Sequence, residues 1–246
     1  MAEKKRLDLI IQERYPNLSR NQIQSFILQR KVKVNDQIVD KAGTPVVLDA
    51  KIDLENETPK FVSRAGFKIE GALDNFKVDV TGLVVLDAGI STGSFTDCLL
   101  QRGAKRVYGV DVGFGIVHEK LRNDPRVILY EKTNLRYLES LPELVDLATL
   151  DLSFISLLKV MPAVCKLLKP DARIITLIKP QFEAEREEIR RGGIVRDDEV
   201  HKKVIEKIKS GMAEFGFEMF DIMESPIRGD KSGNKEFLAI YKRVQI

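Results

Sequence analysis

Lys68, Asp151, Lys179 and Glu236 are the residues whose types and spacing could move a proton. Asp151 closes the expected strand Val145–Leu150, and Lys179 closes Arg173–Ile178, 28 residues later, with one crossover helix between them. Right-handed winding sets two such parallel strands side by side, so both charges reach one carboxyl edge. Lys68, from a helix ahead of the first strand, and Glu236, from the last strand, are able to reach the same mouth. Taken singly, each Lys/Asp pair reads as an ordinary structural ion pair. Only the set of four is specific.

The elements that position them begin with residues 83–97, Leu-Val-Val-Leu-Asp-Ala-Gly-Ile-Ser-Thr-Gly-Ser-Phe-Thr-Asp. This is the pattern of a buried parallel strand, a tight turn and a helix start. Gly89 and Gly93 let the backbone approach a ligand, and Ser94 or Thr92 is expected to cap the helix carrying Phe95, Cys98 and Leu99. A dinucleotide fingerprint needs G-x-G-x-x-G, whereas this loop is G-x-x-x-G with Asp87 at its mouth, which favours a cationic ligand over a pyrophosphate. The next strand, Arg106–Val110, ends at Asp111, where a carboxylate can accept both hydroxyls of a ribose. Asp87, Gly89, Gly93 and Asp111 together resemble the S-adenosylmethionine site of Rossmann-like methyltransferases.

With 246 residues, 43% of them hydrophobic, the chain can bury one good core and a small second one. No apolar run approaches the length of a membrane helix, and the basic start, Met-Ala-Glu-Lys-Lys-Arg, lacks a signal-peptide core, so a cytoplasmic protein is expected. The two cysteines, Cys98 and Cys165, fall on apolar helix stripes and read as buried structural thiols. His118 and His201 lie far apart with no metal-ligand spacing, and no metal is expected. A formal net charge of +3 decides nothing alone.

Residues 1–58 read as a separate α+β unit, and 59–246 as the larger domain. Two amphipathic stripes, Leu7/Ile10/Ile11 and Ile23/Phe26/Ile27, are broken by Pro16-Asn17, and the second opens on Ser19-Arg20-Asn21-Gln22, a capping-box pattern. A hairpin is expected from Val32–Val34 to Ile38–Val39. Residues 1–33 carry eight Lys/Arg against three Asp/Glu, while 34–58 carry two against six. Arg20, Gln24 and Lys31 would share one face of the second helix if it runs that far, a footprint suited to a phosphate backbone or to plain solvation. The order Arg6-Leu7-Asp8, Ser19-Arg20, Phe26-Ile27 and Val32-Lys33-Val34-Asn35 resembles the S4-type RNA-binding domain. Arg-Leu-Asp also occurs as the catalytic triplet of pseudouridine synthases; here it reads as helix-start packing. The polar segment Asp53–Lys60 reads as a linker.

Beyond Asp111 the alternation of strand and helix continues. Val127–Tyr130 is followed by Thr133, Asn134 and Arg136, placed to hold an adenine or the loop itself. A helix over about 156–168 contains Pro162, an expected kink. Residues 184–199, with Gly192-Gly193, read as a mobile loop beside the cleft. A helix over 200–215 precedes a terminal antiparallel pair, Phe217–Met223 and Glu236–Tyr241.

In this setting Lys68, Asp151, Lys179 and Glu236 resemble the Lys-Asp-Lys-Glu tetrad of FtsJ-like RNA 2′-O-methyltransferases. Val62-Ser63-Arg64, Asp151-Leu152-Ser153-Phe154, Lys179-Pro180-Gln181-Phe182-Glu183 and Gly233-Asn234-x-Glu236 are closer still to the TlyA family. Ala65 stands where Ser-Arg-Gly often has glycine, and this departure does not touch the tetrad. The resemblance implies a Rossmann-like methyltransferase with a seven-stranded, mostly parallel sheet behind the small N-terminal domain. It implies S-adenosylmethionine held by Asp87, Gly89, Ser91, Thr92, Gly93, Phe95, Asp111, Asn134 and Asp151. It also implies ribosomal RNA or ribosomal subunits as partner, bound through Arg6, Arg20, Gln24, Arg30, Lys31, Lys33 and Arg64, and methylation of a cytidine ribose. Lys179 would be the base, or steer the hydroxyl, with Asp151 and Glu236 fixing the amines. The base-amine element Asn/Asp-Pro-Pro-Tyr is replaced by Asp151-Leu152-Ser153-Phe154, which favours ribose oxygen over base nitrogen. The rival expectations are a membrane-active haemolysin and a non-catalytic RNA- or ribosome-binding factor.

Overall fold

The structure is a computed structural model and describes residues 3–16, 18–54, 60–229 and 233–244. The chain forms two compact units, Met1–Arg64 and Ala65–Ile246. Most of the expected linker, residues 55–59, and with it the expected boundary at 58/59, lies outside the described residues.

In the first unit, β1 (Lys4–Arg6) leads into α1 (Leu7–Arg14) and α2 (Arg20–Leu28). Leu7, Ile10, Ile11, Ile23, Phe26 and Ile27 are buried against one another, as their spacing requires. The capping box at Ser19 is complete: Gln22 N–H donates to Ser19 Oγ at 3.3 Å, and Ser19 N–H to Gln22 Oε1 at 2.7 Å. The helix stops before Lys31. Arg30 takes a left-handed φ of 61°, while its N–H and that of Lys31 turn back onto the carbonyls of Ile27 and Phe26, a Schellman closure. Lys31 therefore lies in the turn and does not share a helical face with Arg20 and Gln24. β2 (Val32–Val34) pairs with β3 (Gln37–Ile38) through Asn35-Asp36, both at positive φ as a two-residue hairpin demands. β4 (Pro45–Val47) pairs with β1, and β5 (Ile52–Leu54) with β2.

The second unit starts with α3 (Gly66–Asn75) and builds a sheet from β6 (Val84–Ala88), β7 (Arg106–Val110), β8 (Val127–Tyr130), β9 (Val145–Leu150), β10 (Leu168–Ile178), β11 (Phe217–Glu224) and β12 (Phe237–Arg243). Its order is β11-β12-β10-β9-β6-β7-β8. Only β12 runs against the rest, between β10 and β11. All five residues of β6 are buried, because the strand lies between β7 and β9 in a sheet covered by helices on both faces. Around it are α4 (Ser94–Gln101), α5 (Glu119–Arg122), α6 (Met161–Leu167), α7 (Pro180–Glu183) and α8 (Asp198–Glu214).

Several expectations change in detail. Pro162 does not kink a long helix; it lies in the first turn of α6, where a missing N–H costs nothing, after a separate 3-10 turn over Leu157–Lys159. β10 begins five residues early, with an irregularity between Leu168 and Arg173. Cys98 is buried but Cys165 is only half-buried. Residues 184–199 hold a 3-10 turn, Arg186–Glu188, and an Arg190–Ile194 bridge. Asn234, 2% exposed, accepts Val195 N–H at 3.1 Å and donates to Gly193 O at 2.8 Å, tying that segment down.

Candidate active site

The registers bring the chemistry together. β10 pairs Thr176 with Leu150 of β9 and Ile178 with Phe237 of β12. Asp151, Lys179 and Glu236 are the residues just past those pairs, on three adjacent strands at one sheet edge, with strands about 4.8 Å apart. Lys68 comes from α3, which packs on β12.

The four residues form two ion pairs. Lys68 Nζ donates to Glu236 Oε2 at 2.6 Å, with side chains 11% and 3% exposed. Lys179 Nζ stands 2.6 Å from Asp151 Oδ1, with 12% and 19% exposed, and donates to Ser153 Oγ at 3.0 Å. The Lys179–Asp151 contact is close but out of line for a hydrogen bond, so Oδ1 accepts none. Ion pairs this sheltered are costly to desolvate and only weak evidence of stability, so their placement at one edge is the informative fact.

Phe154 is the residue that sequence reasoning passed over. It is 90% exposed and has a left-handed φ of 64°, unusual for an aromatic side chain. Its ring lies 5.0 Å from that of Phe182, which in turn faces the Lys179 ammonium at 5.9 Å. An exposed aromatic on a strained backbone, one ring away from the ammonium, is a surface on which a base can stack. The signal in the sequence was Ser153-Phe154 following the strand-end Asp151, a place where no core position is due.

The glycine turn is built as expected but for different reasons. Asp87 does not face the mouth: it is fully buried, accepting the Thr96 N–H at 3.1 Å and the Thr96 and Thr149 hydroxyls at 2.6 and 3.0 Å. Burial, aided by the Asp151 charge, pushes its carboxyl up to about 6 against the pull of these donors. Neither Thr92 nor Ser94 caps α4; Gly93, with φ 93°, is the N-cap, and the two hydroxyls face each other at 3.3 Å. A Cβ on Gly89 would come within 2.4 Å of the Asp151 carbonyl oxygen, and one on Gly93 within 2.3 Å of Leu121. The missing side chains make room for the protein's own packing. Phe95 is buried beneath the turn, at 4% exposure.

Asp111 sits half-exposed at the end of β7. Each of its oxygens accepts one backbone N–H, Oδ2 from Ser91 at 2.9 Å and Oδ1 from Gly113 at 2.8 Å. A carboxylate oxygen accepts two bonds, so each retains a lone pair for a hydroxyl, which fits a ribose diol. Ser91 is exposed with φ 51°; Thr92 is half-buried; Asn134 is exposed, its side chain accepting Arg136 N–H at 3.1 Å.

In the first unit, Arg6 is exposed and makes two bonds to the buried Asp8, at 2.9 and 2.8 Å. Arg20 approaches the same carboxylate at 3.7 Å, and the two guanidiniums hold Asp8 below the usual carboxylate range despite burial. Arg-Leu-Asp is thus a structural clamp presenting two arginines. Arg30 is exposed, while Gln24, Lys31, Lys33 and Arg64 are half-buried.

Comparison with known proteins places these units. A family model for FtsJ-like methyltransferases matches residues 61–243. One for the S4 domain matches residues 5–52. The chain is 38% identical over 248 residues to the 16S/23S rRNA (cytidine-2′-O)-methyltransferase TlyA of Mycobacterium tuberculosis, covering 100% of this chain and 92% of that protein. It is 40% identical over 237 residues to Hemolysin A of Brachyspira hyodysenteriae, covering 95% and 98%. A solved structure from Streptococcus thermophilus is 38% identical, with a TM-score of 0.75, covering 100% of this chain and 90% of that one. An S-adenosylmethionine-dependent methyltransferase from Mesorhizobium loti, 16% identical with a TM-score of 0.52 over 70% of this chain and 96% of its own, shares the fold.

Proposed function

Because the chain belongs to the TlyA family of FtsJ-like methyltransferases with an S4 domain, we propose that it methylates the 2′-hydroxyl of a ribose in ribosomal RNA, that of a cytidine. The observation that carries this reading is the pair of sheltered Lys–carboxylate contacts at one sheet edge, formed by the carboxyl ends of β9 and β10 and the amino end of β12. S-adenosylmethionine would supply the electrophilic methyl group. Asp111 would hold its ribose, and the turn from Gly89 to Gly93 would form its floor; buried Asp87 and Phe95 act beneath that turn, shaping it.

A ribose hydroxyl is a weak acid, so attack needs in-line placement and removal of one proton. Lys179 is assigned to the hydroxyl, as base or as the group that steers its lone pair. Asp151 and Ser153 fix the ammonium's position, so that the lysine does not have to be ordered when substrate arrives. Lys68 and Glu236 are assigned to the neighbouring flank, where the same hydroxyl or its phosphate meets a fixed charge. Phe154, over Phe182, stacks the base of the target nucleotide. Arg6 and Arg20 bind phosphates, pre-set by Asp8.

The test is incubation of unmodified ribosomal subunits with protein and labelled S-adenosylmethionine, with methylated riboses mapped by mass spectrometry. Lys179→Ala is expected to abolish transfer while cofactor affinity stays within about twofold, the pattern of a group acting in the transition state. Full turnover by this variant refutes its role. The haemolysin name of one relative motivates a second assay, dye leakage from liposomes; no helix among the described residues is long and apolar enough to cross a membrane. Lysis without methyl transfer would favour that rival.

A further inference from the structure

Glu183 is a carboxylate with no part in the chemistry above, and it is 3% exposed. Its Oε1 accepts the N–H of Leu157 at 2.7 Å across 26 residues of sequence, and its Oε2 is buried without a hydrogen bond. Its own carbonyl accepts from Lys207 of α8 at 2.7 Å, so the residue is anchored at both ends.

The two segments it joins are the two halves of the Lys179 pair. α7 starts at Pro180, immediately after Lys179, and its single turn is closed by Phe182 N–H to Lys179 O and Ala184 N–H to Pro180 O. Glu183 is therefore rigidly related to Lys179. On the other side, Leu157 ends the loop that carries Asp151, Ser153 and Phe154. Among the described residues, the two segments also meet at Lys179 with Asp151 and Ser153, and at Phe182 with Phe154. All of those involve groups that must meet substrate. The contacts of Glu183, with the Leu157 N–H and the neighbouring Ser156 hydroxyl, use none of those groups.

We infer that Glu183 is a positioning residue whose buried oxygen, bonded to the Leu157 N–H, sets the distance of the Asp151–Phe154 loop from Lys179. The inference rests on the methyltransferase reading. The groups that face this carboxyl are the Ser156 hydroxyl, Lys159 from the 3-10 turn, Lys207 from α8 and Tyr241 from β12. Burial, the largest influence, raises it above the usual carboxylate range. Gaining a proton on Oε2 leaves Oε1 free to accept, so the tether holds in either state and an amide can replace it.

Methyl transfer to ribosomal subunits and hydrogen exchange at the Leu157 amide, the latter without substrate, are measured for wild type, Glu183→Ala, Glu183→Asp and Glu183→Gln. Gln keeps an acceptor at the same reach and is expected to retain kcat within about threefold, whereas Ala, and Asp one methylene short, lose tenfold or more at nearly unchanged KM for RNA. Leu157 exchanges faster in Ala and Asp only. Overturning results are Gln as impaired as Ala, Asp better than Gln, unchanged Leu157 protection in Ala, or a loss confined to KM. If Ala does not fold, the Asp and Gln pair decides alone. An inactive wild type would instead refute the methyltransferase reading, and the exchange data would still decide the tether.

Discussion

At the scale of single residues, burial decides what a charge is for. Asp87 looks in the sequence like a ligand-facing carboxylate, and its neighbours Gly89 and Asp111 support that placement. The structure instead gives its oxygens three internal donors and seals it. Its carboxyl is raised from 3.8 to about 6. The folded state thus keeps a proton that the unfolded chain loses, between about pH 4 and 6. This group's contribution is full below pH 4 and is lost as pH rises through 6, a change of roughly 3 kcal/mol at 1.36 kcal/mol per unit. Asp87→Asn is expected to flatten that part of the profile, read as a smaller fall in urea midpoint between pH 4.5 and 7 than in wild type; parallel profiles refute it. Phe154 shows the converse, exposure with strain. Phe154→Gly relieves a left-handed backbone but frees the unfolded chain, so stability should stay within about 1 kcal/mol. The lost stacking should raise KM for RNA about tenfold, and an unchanged KM removes Phe154 from the site.

At the scale of elements, the parallel strands and their carboxyl-end residues were legible because fully buried strands leave an unmistakable apolar run ended by a charge. Residues 84–86 run to Asp87, 107–110 to Asp111 and 147–150 to Asp151, each a buried stretch ended by a carboxylate. Partner choice was legible only in part: winding put Lys179 beside Asp151, but nothing in the spacing says that Lys68 takes Glu236, because that depends on α3 lying against β12. Short irregular pieces also escaped. The 3-10 turn at Leu157 and the Schellman end of α2 are fixed by individual hydrogen bonds that no periodicity announces. The turn after β6 illustrates how closely elements depend on one another. Gly89→Ala places a Cβ 2.4 Å from the Asp151 carbonyl oxygen at a φ of 83°. It should cost at least about 2 kcal/mol and displace Asp151, which thermal unfolding together with methyl transfer would reveal; a neutral outcome contradicts the packing.

At the scale of the whole molecule, two units divide the labour, one clustering exposed arginines and the other housing the sheltered ion pairs. The charge asymmetry of the first 58 residues was plain in the sequence, but charge alone leaned slightly to solvation over RNA. The Asp8 clamp on Arg6 and Arg20 tips that balance, because a solvated face needs no buried carboxylate to organise it. Arg20→Ala is expected to weaken RNA binding and lower the slope of log affinity against log salt by about one, leaving cofactor affinity untouched. An unaltered slope would take Arg20 off the phosphate backbone.

The second unit has one further consequence, in the order of synthesis. Lys68 precedes every strand of the large sheet, and Glu236 immediately precedes β12, the last to be made but placed in the sheet's interior beside β10. Their contact spans 168 residues, so this ion pair is a long-range closure that forms only after β12 has been made and paired with β10. A chain cut ahead of β12 would lose the strand that joins β10 to β11 and, with it, the setting of Glu236.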